Sequence, residues 1–281
     1  MAITAAARPP LTERVPAHAY FVGSAIFHYL GPAFAVLLFA RVGPLGTAWL
    51  RIAAAALVLC AWRRPWTLLR RRLLLQLGAV LAVMNCCFYL AIDRLALGTV
   101  AAIEFLPVIV LAAVGARTRR NVAALVLAVG GVYMLTGVRL AGEPLGFALA
   151  FANAGLFALY IVLGHRVAGE LGIDGLAASM LAALVVVTPL AGWNALPALD
   201  DPVAIGAGVG VGVASSVIPY VCDQLAMARL PRSTYALLVS LLPATATVIG
   251  IVVLGQVPAP DEVAGIALVV AGVAVHCDAP G

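Results

Sequence analysis

The chain of 281 residues contains no lysine, and only 10% of it is charged. A soluble domain carries about a quarter of its residues as charge, much of it to cover its surface, so this composition excludes that class. Cysteine is scarce and odd in number. Cys60, Cys86, Cys87, Cys222 and Cys277 make no disulfide framework and read as small apolar packing groups in or beside apolar runs. Clustered metal-ligand spacing is absent, as are HExxH, GxSxG and a paired-Asp diphosphate site, which leaves an intramembrane hydrolase or prenyl transferase without its chemistry. With no GxxxxGK[ST] for a nucleotide, ATP-driven work by this chain is not expected either. Neither a cofactor nor a metal is called for.

What the chain has is apolar length. Hydrophobic residues make up 64% of it, in runs of about 17 to 24 residues, long enough to cross a bilayer as helix. The runs predict spans at 18–40, 44–62, 73–91, 96–116, 122–138, 144–164, 175–193, 202–222, 233–254 and 263–277, separated by short breaks bearing Arg, Gly, Pro or Asp. Continuous apolar runs favour helices over an alternating barrel, and abundant Ala and Gly let helix backbones approach closely. The expected fold class is all-α integral membrane, with ten transmembrane helices. Arg8 and Arg14 precede an apolar stretch, as in a signal peptide, but that stretch reaches Arg41 with no small-x-small cleavage site, so a retained first helix is expected. Residues 1–16 and 278–281 read as tails.

Of the 17 basic residues, all Arg, 13 fall in the N-terminal tail and the even-numbered gaps. The odd gaps hold Arg41, Arg94 and Arg139, and Arg51 lies inside a span. By the positive-inside rule both termini are expected in the cytoplasm. The net charge of +5 is then a topology signal and gives no reason to expect nucleic acid as a partner. The acidic pairs Asp200/Asp201 and Asp261/Glu262 fall in external gaps as solvated loop charges. Trp62, Trp66 and Trp193 lie near span ends, as interface anchors do.

The chain also aligns with itself. Leu90-Ala91-Ile92-Asp93-Arg94-Leu95 falls on Leu225-Ala226-Met227-Ala228-Arg229-Leu230, Thr99 on Thr234 and, after a one-residue gap, Pro107 on Pro243; residues 122–132 match 263–273 at six positions. The natural division is two five-helix repeats, 17–140 and 141–277. Because five is odd, the second enters the membrane inverted relative to the first. Inverted repeats are a transporter architecture in which a site between the halves faces each side in turn. A channel more naturally places its symmetry around a pore between subunits.

Residues 45–66, 85–107 and 218–255, with Pro219-Tyr220, Arg229-Leu230-Pro231 and Leu254-Gly255 as the more specific phrases, resemble the drug/metabolite transporter superfamily, and within it the EamA-type branch that includes threonine and homoserine exporters. The resemblance implies a ten-helix inner-membrane secondary transporter that exports small metabolites, amino acids foremost. Multidrug or other metabolite efflux on the same fold is the alternative. Relatives often read Leu-Glu-Pro where this chain has Leu241-Leu242-Pro243, often carry Lys at the position of Val36, and often have one residue more between Glu104 and Pro107. Lost cavity charges would alter substrate or ion coupling before they altered the fold.

Charges inside spans need a partner or a watery cavity, because each costs several kcal/mol in hydrocarbon. Arg51 and Glu104 each lie seven or eight residues into a span that runs inward, some 10 to 13 Å below the external surface at about 1.5 Å per residue. Two readings stand. Either Glu104 takes a substrate ammonium or a proton while Arg51 takes a carboxylate, or the two form a structural pair that fixes helix register. His28, the histidine near a span centre, is either a second proton carrier or a neutral imidazole hydrogen-bonded to a neighbour. Asn85, Asn153, Tyr160, Tyr220 and Ser240 are uncharged candidates for a cavity lining, against a plain role in joining helices. Pro107, Pro219 and Pro243 break helical hydrogen bonding and are hinge candidates, static kinks being the alternative. Asp223 sits at the inner end of the eighth span as a gate charge or as an interfacial partner of Arg229. The expected partners are a small-molecule substrate, the lipid bilayer and protons, with a homodimer left open.

Overall fold

The computed structural model describes residues 16–104, 106–107, 118–137, 143–229 and 242–275, and among them the regular structure is helical, with no strand. One long stretch, Ala17–Arg63, breaks where Gly43 takes φ 65° and ψ 175°, giving α1 (17–42) and α2 (44–63). Then follow α3 (Arg72–Ile92), α4 (Leu97–Glu104), α5 (Arg119–Gly137), α6 (Pro144–Glu170) and α7 (Gly172–Ala195). Helix α8 (202–227) contains a π turn at Val213–Val217, and α9 (Leu242–Leu254) and α10 (Pro260–Val275) complete the described chain.

Local chemistry sets these boundaries. Proline opens α6, α8 and α10, where a missing N–H breaks no helical bond. Positive φ at Arg64, Gly172 and Gly255 ends or turns the chain between elements. The helices keep close to the predicted spans, with α6 the main exception. It continues past 164 to Glu170, carrying Gly164 and Gly169 within the helix, and turns only at Gly172, whose φ is 54°. Helical stretches long and apolar enough to cross a bilayer are Ala19–Arg63, Arg72–Ile92, Pro144–Glu170, Gly172–Asp200 and Pro202–Ala226. Much of the predicted fourth and ninth spans lies outside the described residues, as do the ends of the chain.

Contacts fix the directions of the helices. Along α1, Gly23 faces Cys222 and Gly31 faces Ser215, so α1 runs antiparallel to α8. Along α2, Leu50 meets Gly208 while Arg51 and Ala54 meet Gly212, so α2 runs parallel to it. Gly43 therefore reverses the chain, and both helices flank α8. Helix α2 is antiparallel to α7, from Gly46 against Asn194 to Arg63 against Asp174. Helices α5 and α10 are likewise antiparallel, with Gly131 at Gly265 and Gly272 at Ala124.

Polarity is arranged from the inside out. Leu37, Leu57, Val126, Val185 and Val252 point outward, whereas Ser24, Arg51, Asn85, Glu104, Asn153 and Asp223 are buried. In water that order would be unstable; in a bilayer the apolar skin is solvated by lipid and the polar groups need one another. Trp62, Trp66 and Trp193 are exposed, as interface anchors would be.

Ion pairs tie the two ends of the bundle. Arg41 pairs with Asp201, which also caps α8 by accepting from the N–H of Val203 (2.9 Å) and of Ala204 (3.2 Å). The Ala204 N–H, then the Arg41 guanidinium, hold the Asp201 carboxyl below the usual carboxylate range. At the other end Arg63 Nε donates to Asp174 Oδ1 at 2.5 Å.

The α1–α8 crossing depends on Gly31, because a Cβ there would overlap the backbone and side chain of Ser215. Gly31→Ala should destabilise by about 1–3 kcal/mol, the usual cost of overpacking, read as a lower thermal midpoint in detergent. Gly155→Ala, with open space around it, should leave the midpoint in place. Equal midpoints for the two variants would contradict this packing.

Candidate functional site

Pro219 shapes the centre of the molecule. Lacking an N–H, it cannot bond the carbonyl four residues earlier, that of Ser215, at the π turn of α8. Arg51 on α2 takes that carbonyl, donating from Nη2 at 2.6 Å, and its Nε donates to Ser216 Oγ at 2.7 Å. Tyr89 and Tyr220 hydroxyls lie at 3.4 and 3.5 Å from its remaining N–H groups, with the guanidinium carbon 5.5 Å from the centre of the Tyr89 ring. Every one of these partners is neutral.

Glu104, at the end of α4, is held in the same way. Its Oε1 accepts from Asn153 Nδ2 on α6 at 2.9 Å, and its Oε2 from Tyr29 on α1 at 3.3 Å. Arg51 and Glu104 both line a cavity of about 20 Å³ together with His28, Pro32, Asn85, Asn153 and Tyr220. A direct Arg51–Glu104 ion pair, one reading of the sequence, is not formed. Similar depth did not bring them together because Arg51 turns toward α8. The cavity has room for a water molecule and not for an amino acid, yet it presents a cation and a carboxyl whose partners are otherwise uncharged. The Oδ1 of Asn153 is buried with no hydrogen-bond partner.

The other predicted residues are placed as follows. His28 packs edge-on against Tyr29, Phe157 and Tyr220, with ring centres 5.3 to 6.4 Å away. Asn85 Nδ2 donates back to Leu81 O at 2.7 Å. Tyr160 stacks on Phe157 and lies 5.6 Å from the Tyr220 ring, behind the cavity wall, its buried hydroxyl without a partner. Asp223 accepts from Ser24 on α1 at 2.5 Å, while Arg229 lies over the Tyr20 ring. Pro107 and Pro243 occupy helical positions at or near the ends of the described segments, and Ser240 lies outside the described residues. Sequence reasoning missed Tyr29, Tyr89 and Ser24. Each carried a signal, since Tyr89 follows Asn85 by one helical turn, Tyr29 adjoins His28, and Ser24 precedes His28 by four on one face.

A helical bundle with an apolar skin and a charged centre built from several helices defines a class: a multi-pass membrane protein. Residues 144–276 match the EamA-like transporter family. Threonine/homoserine exporter RhtA of Escherichia coli (strain K12) is 33% identical over 248 residues, covering 86% of this chain and 84% of that protein. RhtA of Salmonella typhimurium (strain LT2) is 34% identical over 233 residues, covering 80% and 79%. A solved crystal structure, 18% identical, superposes with a TM-score of 0.61 over 92% of this chain and 95% of that one, which extends the likeness to the fold. The chain belongs to the EamA-like transporter family. It is a transporter and not an enzyme, a multi-pass inner-membrane protein that works on a small molecule within lipid.

The Ser24–Asp223 bond joins α1 to α8 and is suited to a double-mutant cycle. Ser24→Ala and Asp223→Asn should each lower the thermal midpoint, Ser24→Ala by the equivalent of about 1–3 kcal/mol for a buried group left short of a partner. The double variant should be little worse than the more damaging single one. Additive losses would show that the contact carries no coupling.

Proposed function

We propose that this protein exports small neutral amino acids, of the threonine and homoserine type, by alternating access between two inverted five-helix repeats, residues 17–140 and 141–277. The observation that carries the proposal is the pair of buried charges, Arg51 and Glu104, on one water-sized cavity and satisfied by neutral groups instead of by each other. A zwitterion supplies both missing counter-charges at once. Its carboxylate suits the Arg51 guanidinium, its ammonium suits Glu104, and Asn153, Tyr220 and Asn85 are placed to bond the remainder. The names of the relatives at 33 and 34% identity point the same way.

Packing supports the repeat. Exchanging each helix for the one five further along turns α3 against α6 into α8 against α1, and α3 against α7 into α8 against α2; both members of each exchange are present. It also turns the antiparallel pairs α2/α7 and α5/α10 into themselves, as an axis in the membrane plane would. With both termini cytoplasmic, Arg41–Asp201 bridges the halves at the external end and Arg63–Asp174 at the inner end. Both bridges closed around a water-sized cavity describe an occluded conformer. Export requires each to open in its turn, with Pro219, Pro107 and Pro243 as the flexible points and Asp223 at the inner entrance.

Glu104, beside His28 at the same cavity, is the proton-coupling group in this mechanism. It alternates between holding the substrate ammonium and holding a proton. Inside-out vesicles containing the protein should take up labelled threonine or homoserine saturably, faster with a pH gradient that drives protons outward from the lumen. Glu104→Gln should cost about tenfold or more in rate and remove the response to the gradient. An unchanged rate and pH dependence in that variant would remove proton coupling from the account. No uptake above empty vesicles would remove these substrates.

A further inference from the structure

A second and larger cavity, of about 330 Å³, lies where the α3–α4 turn meets the α9–α10 turn, on the side that the Arg distribution assigns to the exterior. Its size falls in the range of small-ligand sites. Its polar lining is Asp93, Arg94, Thr99, Thr247, Gln256 and Glu262. The walls are built and pinned. Gln256 follows the left-handed Gly255 and its Oε1 accepts the Leu97 N–H at 3.1 Å, capping α4 from the other half of the chain. Glu262 Oε2 accepts the Ala259 N–H at 2.8 Å at the start of α10, and Arg94 Nη1 donates to Leu90 O at 2.8 Å, 3.5 Å from Asp93.

Helix α4 connects this pocket to the central cavity. Thr99 lines the first and Glu104 the second, five residues apart and thus about 7 to 8 Å along the helix axis. At the wall of this pocket α4 touches α9 directly. A Cβ on Gly98 would sit 2.6 Å from Thr247 Oγ1, so glycine permits a closed seam there. The pocket is therefore a vestibule beside a closed joint, its lining including a guanidinium and two carboxylates around a space that the central cavity lacks.

We infer that this vestibule is a second binding site for small zwitterionic amino acids, the last station of the cargo on the external side, with Arg94 receiving the carboxylate and Asp93 and Glu262 facing the ammonium. The inference rests on the amino-acid reading of the central cavity. It makes the exporter sensitive to its own product, because cargo returning from outside occupies the vestibule before the seam can open again.

The test is equilibrium binding of labelled threonine to the full-length protein in lipid nanodiscs made of phosphatidylglycerol. Wild type should bind at two classes of site. Glu104→Gln should lose the central one and keep the other; adding Arg94→Gln should weaken what remains at least tenfold, whereas adding Arg94→Lys should keep most of it, which separates loss of charge from loss of fold. If wild type binds and Glu104→Gln abolishes all binding, or if Arg94→Gln leaves the residual site unchanged, the vestibule site is wrong while the central reading stands. No binding to wild type overturns both. Phosphatidylethanolamine carries the same two charges in its headgroup, so the Glu104→Gln variant is also measured in discs containing it. Unchanged residual binding assigns the pocket to free amino acids, and its loss assigns the pocket to a lipid headgroup and overturns the inference.

Discussion

Arg51 is a guanidinium 3% exposed inside an apolar bundle, and the centre of the structure is arranged around keeping it there. Withdrawing such a charge from water costs several kcal/mol unless its donors are matched. The matching begins with a proline. Because Pro219 has no N–H, the Ser215 carbonyl lacks the donor four residues on that an α-helix would give it, and Arg51 bonds it together with the Ser216 hydroxyl. That arrangement joins α2 to α8, while Gly31 brings α1 onto the same turn. The sites of bonding and of closest approach therefore coincide, and the cavity lies beside them.

Polar groups inside and apolar groups outside follow from the solvent. Lipid rewards Leu57, Val185 and Val252 on the surface and leaves buried hydroxyls, amides and charges to find one another across helices. Ser24 with Asp223, and Tyr29 and Asn153 with Glu104, are such bonds, and each joins different helices. The exposed ion pairs at the two ends, Arg41–Asp201 and Arg63–Asp174, are individually weak in water. The hydrogen bonds around Arg51 are buried instead, and removing a partner there leaves a charge unmatched.

The bilayer-spanning character, the approximate limits of the helices and the break near residue 43 were legible because apolar length and Gly-Pro punctuation are local signals. Arg51, Glu104, Asn85, Asn153 and His28 stood out as polar groups in apolar runs, and the structure places all of them around one cavity with Tyr220. Their partners were harder to read. A tyrosine or serine in a span is common, and the local signals of Tyr29 and Tyr89, which touch the charges, are no stronger than that of Tyr160, which lies two turns after Asn153 and stacks behind the wall. The expected alternative of an Arg51–Glu104 pair failed for a related reason: depth along an axis can be counted in residues, but rotation about it is set by the neighbour, here the opened turn of α8. The vestibule was illegible because Gln256 caps α4 across 159 positions of sequence.

The central claim is that one site holds both ends of a zwitterion. The most direct measurement is counterflow of labelled threonine in proteoliposomes, competed by threonine itself, by its analogue lacking the carboxylate and by its analogue lacking the ammonium. The account predicts that threonine competes and that each analogue competes at least tenfold less well, because each leaves one of the two buried charges without its partner. Competition by either analogue as strong as that by threonine would contradict it.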